Sequence, residues 1–132
     1  MKILAIDYGK KWIGIAISDD PPPFFKGWGG KLAFPYKTLE NNEKLFSELN
    51  DIIKKEEIYK IVIGLPLNKE MKPTAQTEEV ERWAEKLARQ INISLEFYNE
   101  IFTTKEAEKS GAKNQHSAAA AILLQSYLDK KS

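Results

Sequence analysis

Residues 3–19 read ILAIDYGKKWIGIAISD, two apolar runs joined by a short polar break, with an acid after each. The first run, extended to KILAID over 2–7, has the composition of a buried strand, and WIGIAIS over 12–18 that of a second. Tyr8 to Lys11 between them is short enough for a hairpin. Asp7 therefore has two readings. Asp and Gly favour tight hairpin turns. A metal-dependent phosphate site at a strand end would also place an acid there, and would use Lys10 and Lys11 as well. Gly9 and Gly14 are open in the same way: they serve the turn and a tight strand, or they mark close approach of a ligand.

Working outward, LAFPYKT over 32–38 reads as a third strand, with Pro35 marking it as an edge or irregular one. Within 43–57, Leu45, Leu49, Ile52, Ile53 and Glu56 recur at helical spacing. KIVIGL over 60–65 is a continuous apolar run typical of a strand buried on both faces, closed by Pro66. A second helix spans about 74–91, capped by Thr74 and presenting Val80, Ala84, Leu87 and Ile91 on one face. ISLEFY over 93–98 reads as another strand. A short helix from about Thr104, broken at Gly111, and a last helix over about 115–129 follow, the latter carrying Ala119, Ala120, Ile122, Leu123 and Tyr127. The order β-β-β-α-β-α-β-α-α predicts an α/β fold: a mixed sheet, part antiparallel meander and part parallel, covered by helices. No internal repeat appears, and residues 1–132 are expected to form one domain.

The 132 residues are 42% hydrophobic and 30% charged, ordinary for a soluble domain. No apolar window approaches a membrane span, and MKILAID lacks the features of a signal peptide. Cysteine is absent, which excludes disulfides and thiolate metal sites. The expected location is the cytoplasm. A net charge of +1 is low for a dedicated nucleic-acid binder, but such binding needs a local patch and not a basic average.

Three polar residues stand out by position. Asp7 ends the first strand, Glu100 lies just past the last strand, and His116 opens the last helix. Ligands of open α/β sheets sit at the carboxyl ends of the strands. Two carboxylates meeting there hold Mg²⁺ or Mn²⁺, the ions suited to phosphodiester hydrolysis. Imidazole favours Mn²⁺ or Zn²⁺ over Mg²⁺ as a ligand, and His116 serves equally as a general base. The bland alternatives are a solvated loop Glu100, a helix-start His116, and Thr103 and Thr104 as helix caps.

DYGKKWIGIAISD resembles the opening motif of the YqgF family, also called RuvX or Holliday-junction-resolvase-like proteins, of the RNase H-like fold. IVIGLPLN resembles its second motif, NEIFTTKEAE stands at its Asp-Glu-Arg motif, and HSAAAAILLQSYL resembles its closing helix. The resemblance implies a metal-dependent nuclease acting on the 5′ end of pre-16S rRNA or, by older analogy, on branched DNA. It implies Asp7, Glu100 and His116 as catalytic residues and metal ligands, with His116 where the family has a third acid. Asn99, Ile101 and Trp12 depart from the family's Asp, Arg and Arg, and Glu70-Met71 lies where a Gly is expected. These departures motivate a rival, a member that binds nucleic acid or protein without cutting. An actin-like or sugar-kinase ATPase shares the strand-hairpin opening but needs two such domains, which this length does not provide.

Residues 20–31, DPPPFFKGWGGK, forbid helix and central strand. Aromatics interleaved with cations suit single-stranded nucleic acid, so Lys26, Trp28 and Lys31 join Lys10 and Lys11 as candidate nucleic-acid contacts. The alternatives are rings folded back onto the domain or a dimer contact. A monomer or a homodimer fits equally.

Overall fold

A computed structural model describes residues 2–19, 31–101 and 113–131. The elements are β1 (Lys2–Asp7), β2 (Trp12–Asp19), β3 (Leu32–Glu40), α1 (Leu45–Lys55), β4 (Ile58–Leu67), α2 (Ala75–Gln90), β5 (Ser94–Ile101) and α3 (Lys113–Lys131). The helix expected from Thr104 lies outside the described residues, as do Thr103 and most of the Pro-rich segment.

The strands form one sheet in the order β3-β2-β1-β4-β5. β1 pairs antiparallel with β2, and β2 with β3, while β1–β4 and β4–β5 are parallel. This is the mixed sheet expected from the element order. Pro35 sits on the edge strand β3, where a residue without an N–H is tolerated, beside a register shift between Ile15 and Ala16 that leaves Tyr36 of β3 without a ladder partner. Pro66 does not end β4; it pairs with Glu100 across β5. Beyond Ile63, β1 no longer pairs with β4, so a residue without an N–H is tolerated there.

Alternation along the strands sends two different sets of side chains to the two faces. Leu4, Ile6, Ile13, Ile15, Ile61 and Ile63 pack with Leu45, Leu49, Val80, Trp83 and Leu87 of α1 and α2. The other face is built from smaller residues: Ile3, Ala5, Ala16 and Val62 meet Ala120, Leu123, Leu124 and Tyr127 of α3. Small side chains beneath a helix let its backbone approach the sheet, and α3 lies over β2, β3 and β1. Ala33 N–H donates to Gln125 Oε1 at 2.9 Å, fastening α3 to the edge strand. Ile122, expected on the packed stripe, is instead 70% exposed. Residues 120, 123, 124 and 127 complete the i, i+3, i+4, i+7 stripe, and position 122 falls off it.

Thr74 caps α2 as its sequence context predicts, in a reciprocal box with Thr77. Thr77 is itself buried, and its hydroxyl donates to the Pro66 carbonyl. The start of α2 is thereby tied to the end of β4. Between them, Asn68 Oδ1 accepts from the amides of Glu70 and Lys72, and Met71 adopts φ 62°. Left-handed backbone favours glycine, and it falls here on Met71, in the region where the resemblance leads one to expect a Gly.

Candidate active site

Asp7 closes β1 and pairs directly with Gly14. Residues 8–11 form the connection, which is longer than the two-residue turn that would make Asp7 a tight-turn residue. Asp7 shares the strand face of Ile3 and Ala5, the face covered by α3. There the Asp7 carboxylate meets the imidazole of His116: Nδ1 lies 3.2 Å from Oδ2, with the two side chains 22% and 13% exposed. Residues 109 apart in sequence are thus in contact at the carboxyl end of a central strand.

The two glycines explain the approach. A methyl at Gly14 would overlap the His116 carbonyl and stand 2.7 Å from the Ser117 nitrogen. A methyl at Gly9 would meet Trp12 O at 2.6 Å and His116 Cε1 at 2.9 Å. Neither glycine is a simple turn device: the last helix comes close to both. The pattern Ala5, Gly14, Ala16 under one helix was the signal available in the sequence.

Asn41 is a second residue that sequence reasoning missed. It follows β3, donates from Nδ2 to Gly9 O at 3.0 Å, and donates from its own amide to Lys11 O at 2.8 Å. The 8–11 connection is therefore clamped from the β3–α1 junction. From the other face it rests on aromatic packing, with Tyr8 5.2 Å from Trp83 and Phe46 6.0 Å from Trp83, centroid to centroid. Burial, and then a hydrogen bond to Glu79, push the Tyr8 hydroxyl above its usual range, against the opposing effects of Asn41 and Arg82. Tyr8 stays a neutral donor through all ordinary pH.

Glu100 lies near the end of β5, two strands from β1, opposite Pro66. Its position shares the parity of Glu96 and Tyr98, which bond Tyr127 and Ser126 of α3; its side chain lies outside what is described. Lys10 and Lys11 flank the connection beside Asp7. Lys10 Nζ is 3.8 Å from Glu79 and almost fully exposed, and Lys11 Nζ sits 5.6 Å over the Trp12 ring. Lys31 precedes β3 where Leu32 pairs with Asp19, and Asp19 reaches Lys2 at the start of β1. That end of the sheet is five strand residues from Asp7, roughly 17 Å, so Lys31 is not brought to the Asp7 cluster. Lys26 and Trp28 lie outside the described residues.

Asp7 and His116 offer one hard oxygen and one borderline nitrogen at one point. Among the described residues no group of three metal-binding side chains occurs. The pair fits as part of a divalent-cation site that takes a further donor from elsewhere.

Residues 1–130 match the profile of the family described as "RuvX: Holliday junction resolvase". A protein of Maridesulfovibrio salexigens is 36% identical, covering 97% of this chain and 98% of its own length. One of Sulfurihydrogenibium sp. is 38% identical, covering 99% of this chain and 92% of its own. Both carry the name "Putative pre-16S rRNA nuclease". Among solved structures, T. thermophilus RuvC in complex with Holliday junction substrate superposes with a TM-score of 0.52 at 8% identity, over 76% of this chain and 66% of RuvC. T. thermophilus RuvC itself gives 0.51 at 9% identity, over 75% and 64%. At such identities the likeness shows the fold, the RNase H-like one.

Proposed function

The chain belongs to the RuvX family, and on that premise we propose that it is a divalent-metal-dependent nuclease, acting as a single domain in the cytoplasm on the 5′ end of the pre-16S rRNA precursor. The observation that carries this reading is the Asp7–His116 contact at the mouth of β1. Two polar, ionisable side chains have been brought together there from the two ends of the chain, beside an open connection bearing Lys10 and Lys11.

Asp7, Glu100 and His116 are assigned to hold the metal, Mn²⁺ or Mg²⁺. When bound, the ion supplies Lewis-acid stabilisation of charge developing on the scissile phosphate. The rest falls to the chain. Asp7 and Glu100 supply hard oxygen donors from two strand ends. The Asp7 carboxylate orients the imidazole through Nδ1, which leaves Nε2 for a ligand or a proton. Asn41 holds the 8–11 connection and with it the direction of Asp7. Lys10 and Lys11, in the connection next to Asp7, are assigned to the phosphate backbone of the substrate, a contribution that is electrostatic and salt-sensitive.

Asp7→Asn tests the assignment. It preserves shape and removes the charge, so cleavage of a pre-16S 5′ fragment should vanish while the thermal melt stays two-state. Cleavage that persists in this variant removes Asp7 from the chemistry. A four-way DNA junction in the same assay separates the substrates: preferential cutting of the junction reassigns the enzyme to DNA. The changed residues Trp12, Asn99, Ile101 and His116 favour a second reading, a family member that binds without cutting. Absence of Mn²⁺ binding to the unmodified chain would select it.

A further inference from the structure

Asp7 and Tyr8 are successive residues, and they serve opposite faces of the sheet. Asp7 meets α3, while Tyr8 packs with Trp83 of α2. Behind the 8–11 connection, on the α2 side, lies a cleft of about 340 Å³ lined by Tyr8, Gly9, Lys10, Ala75, Gln76 and Glu79. That volume is at the small end of ligand-binding clefts. One thin wall, the backbone of the connection, separates this cleft from the Asp7 site, and Gly9 borders both.

The lining chemistry narrows the occupant. Glu79 places a carboxylate in the wall and is 29% exposed, which disfavours a phosphate in the cleft. Gln76 offers an exposed carboxamide, both donor and acceptor. Tyr8 adds an aromatic ring to the lining. A carboxylate beside a carboxamide and an aromatic is a set that reads the edge of an unstacked base, with Glu accepting from an exocyclic amine. Lys10, paired with Glu79 at 3.8 Å, stands at the rim on a long exposed stem, where it can turn to the backbone of a strand entering the cleft.

We propose that this cleft is a subsite for one unpaired nucleobase carrying an exocyclic amine, flanking the phosphate presented to Asp7. The proposal rests on the nuclease reading for its context, but it is tested without metal or cleavage. Fluorescein-labelled single-stranded RNA pentamers, oligo-C, oligo-A and oligo-U, are titrated with the metal-free chain at low salt and followed by anisotropy. Oligo-C or oligo-A should bind about tenfold more tightly than oligo-U, the discrimination expected of one good base contact. Glu79→Ala, which removes the acceptor, should erase that preference while leaving oligo-U affinity unchanged or improved, and Gln76→Ala, at an exposed helix position, should weaken the preferred pentamer alone. Asp7→Asn should leave the preference intact, so that failure of the nuclease reading and failure of the subsite are read separately. Equal affinity for all three pentamers, absence of binding, or a preference that survives Glu79→Ala overturns the subsite.

Discussion

Gly14→Ala perturbs the contact on which the candidate site depends. The new methyl would overlap the His116 carbonyl and sit 2.7 Å from Ser117 N, against 3.4 Å for ordinary contact. The obstructing atoms are helix backbone, which has no rotamer to escape into. To clear Ser117 alone, the start of α3 must retreat by about 0.7 Å, and further to clear the carbonyl. A retreat of that size takes His116 Nδ1 from 3.2 Å to about 3.9 Å from Asp7, beyond hydrogen-bond range. Overpacking of this kind costs roughly 1–3 kcal/mol, and a backbone clash belongs at the upper end. For 132 residues the unfolding entropy is roughly 0.28 kcal/mol/K, so about 3 kcal/mol lowers Tm by roughly 10 °C. Circular-dichroism melts measure the stability, and Mn²⁺ titration of the folded variant measures the site; both should fall. Gly9→Ala is the comparison, because one of its neighbours is the movable His116 ring, and its melt should change less. A Gly14→Ala protein that melts like the parent and binds Mn²⁺ as well would refute the account of why α3 sits where it does.

Asn41→Ala removes the bond to Gly9 O, and cleavage should slow with little change in Tm, since the clamp holds an exposed connection; a lower kcat at constant KM is the expected signature. Met71→Gly relieves left-handed backbone and should raise stability by up to about 1 kcal/mol in a denaturant titration, with no change in activity. Glu56 lies below its ordinary value near 4.5, first because the Tyr36 hydroxyl donates to it and then because of Lys2. Its contribution is therefore complete above pH 4.5 and lost as pH falls through the depressed value, so Glu56→Gln should lower Tm slightly at neutral pH, flatten the acid limb of Tm against pH in that window, and match the parent below it, where the parent's carboxyl is already protonated. Thr77→Val removes both the capping box and the bond to Pro66, and urea unfolding should register a loss of about 1–2 kcal/mol.

The strands and helices were legible because their apolar spacing follows backbone geometry that any sequence must obey. Ile3–Ile6 and Ile61–Ile63 are buried runs in both readings, and Thr74 is a cap in both. What sequence spacing could not give was depth. Gly14 read as either a tight strand or a place of close approach, and only the position of α3 shows that a helix backbone occupies the place of its missing side chain. Pro66 looked like a terminator because the absence of β1 beside that stretch of β4 is a fact of topology. In the site, Asp7 was legible as a strand-end acid and His116 as the opener of a helix, but their contact depends on how α3 crosses the sheet. Asn41 carried no signal at all, since its partners are backbone atoms thirty residues away. Lys31 was grouped with Lys10 and Lys11 as a cation interleaved with the aromatics of 20–31, and antiparallel pairing of β2 with β1 and with β3 carries it to the far end of the sheet from Asp7.

The seating of α3 on Ala5, Gly14 and Ala16 also has a consequence in time. A chain emerging from synthesis can pair its strands and bury the α1 and α2 side while the imidazole of residue 116 is still unmade or unattached. Until the final helix docks, the carboxylate at residue 7 has no partner from that helix. Any activity that needs both groups is thereby withheld from truncated or half-finished copies, and the appearance of function becomes a readout of completed assembly.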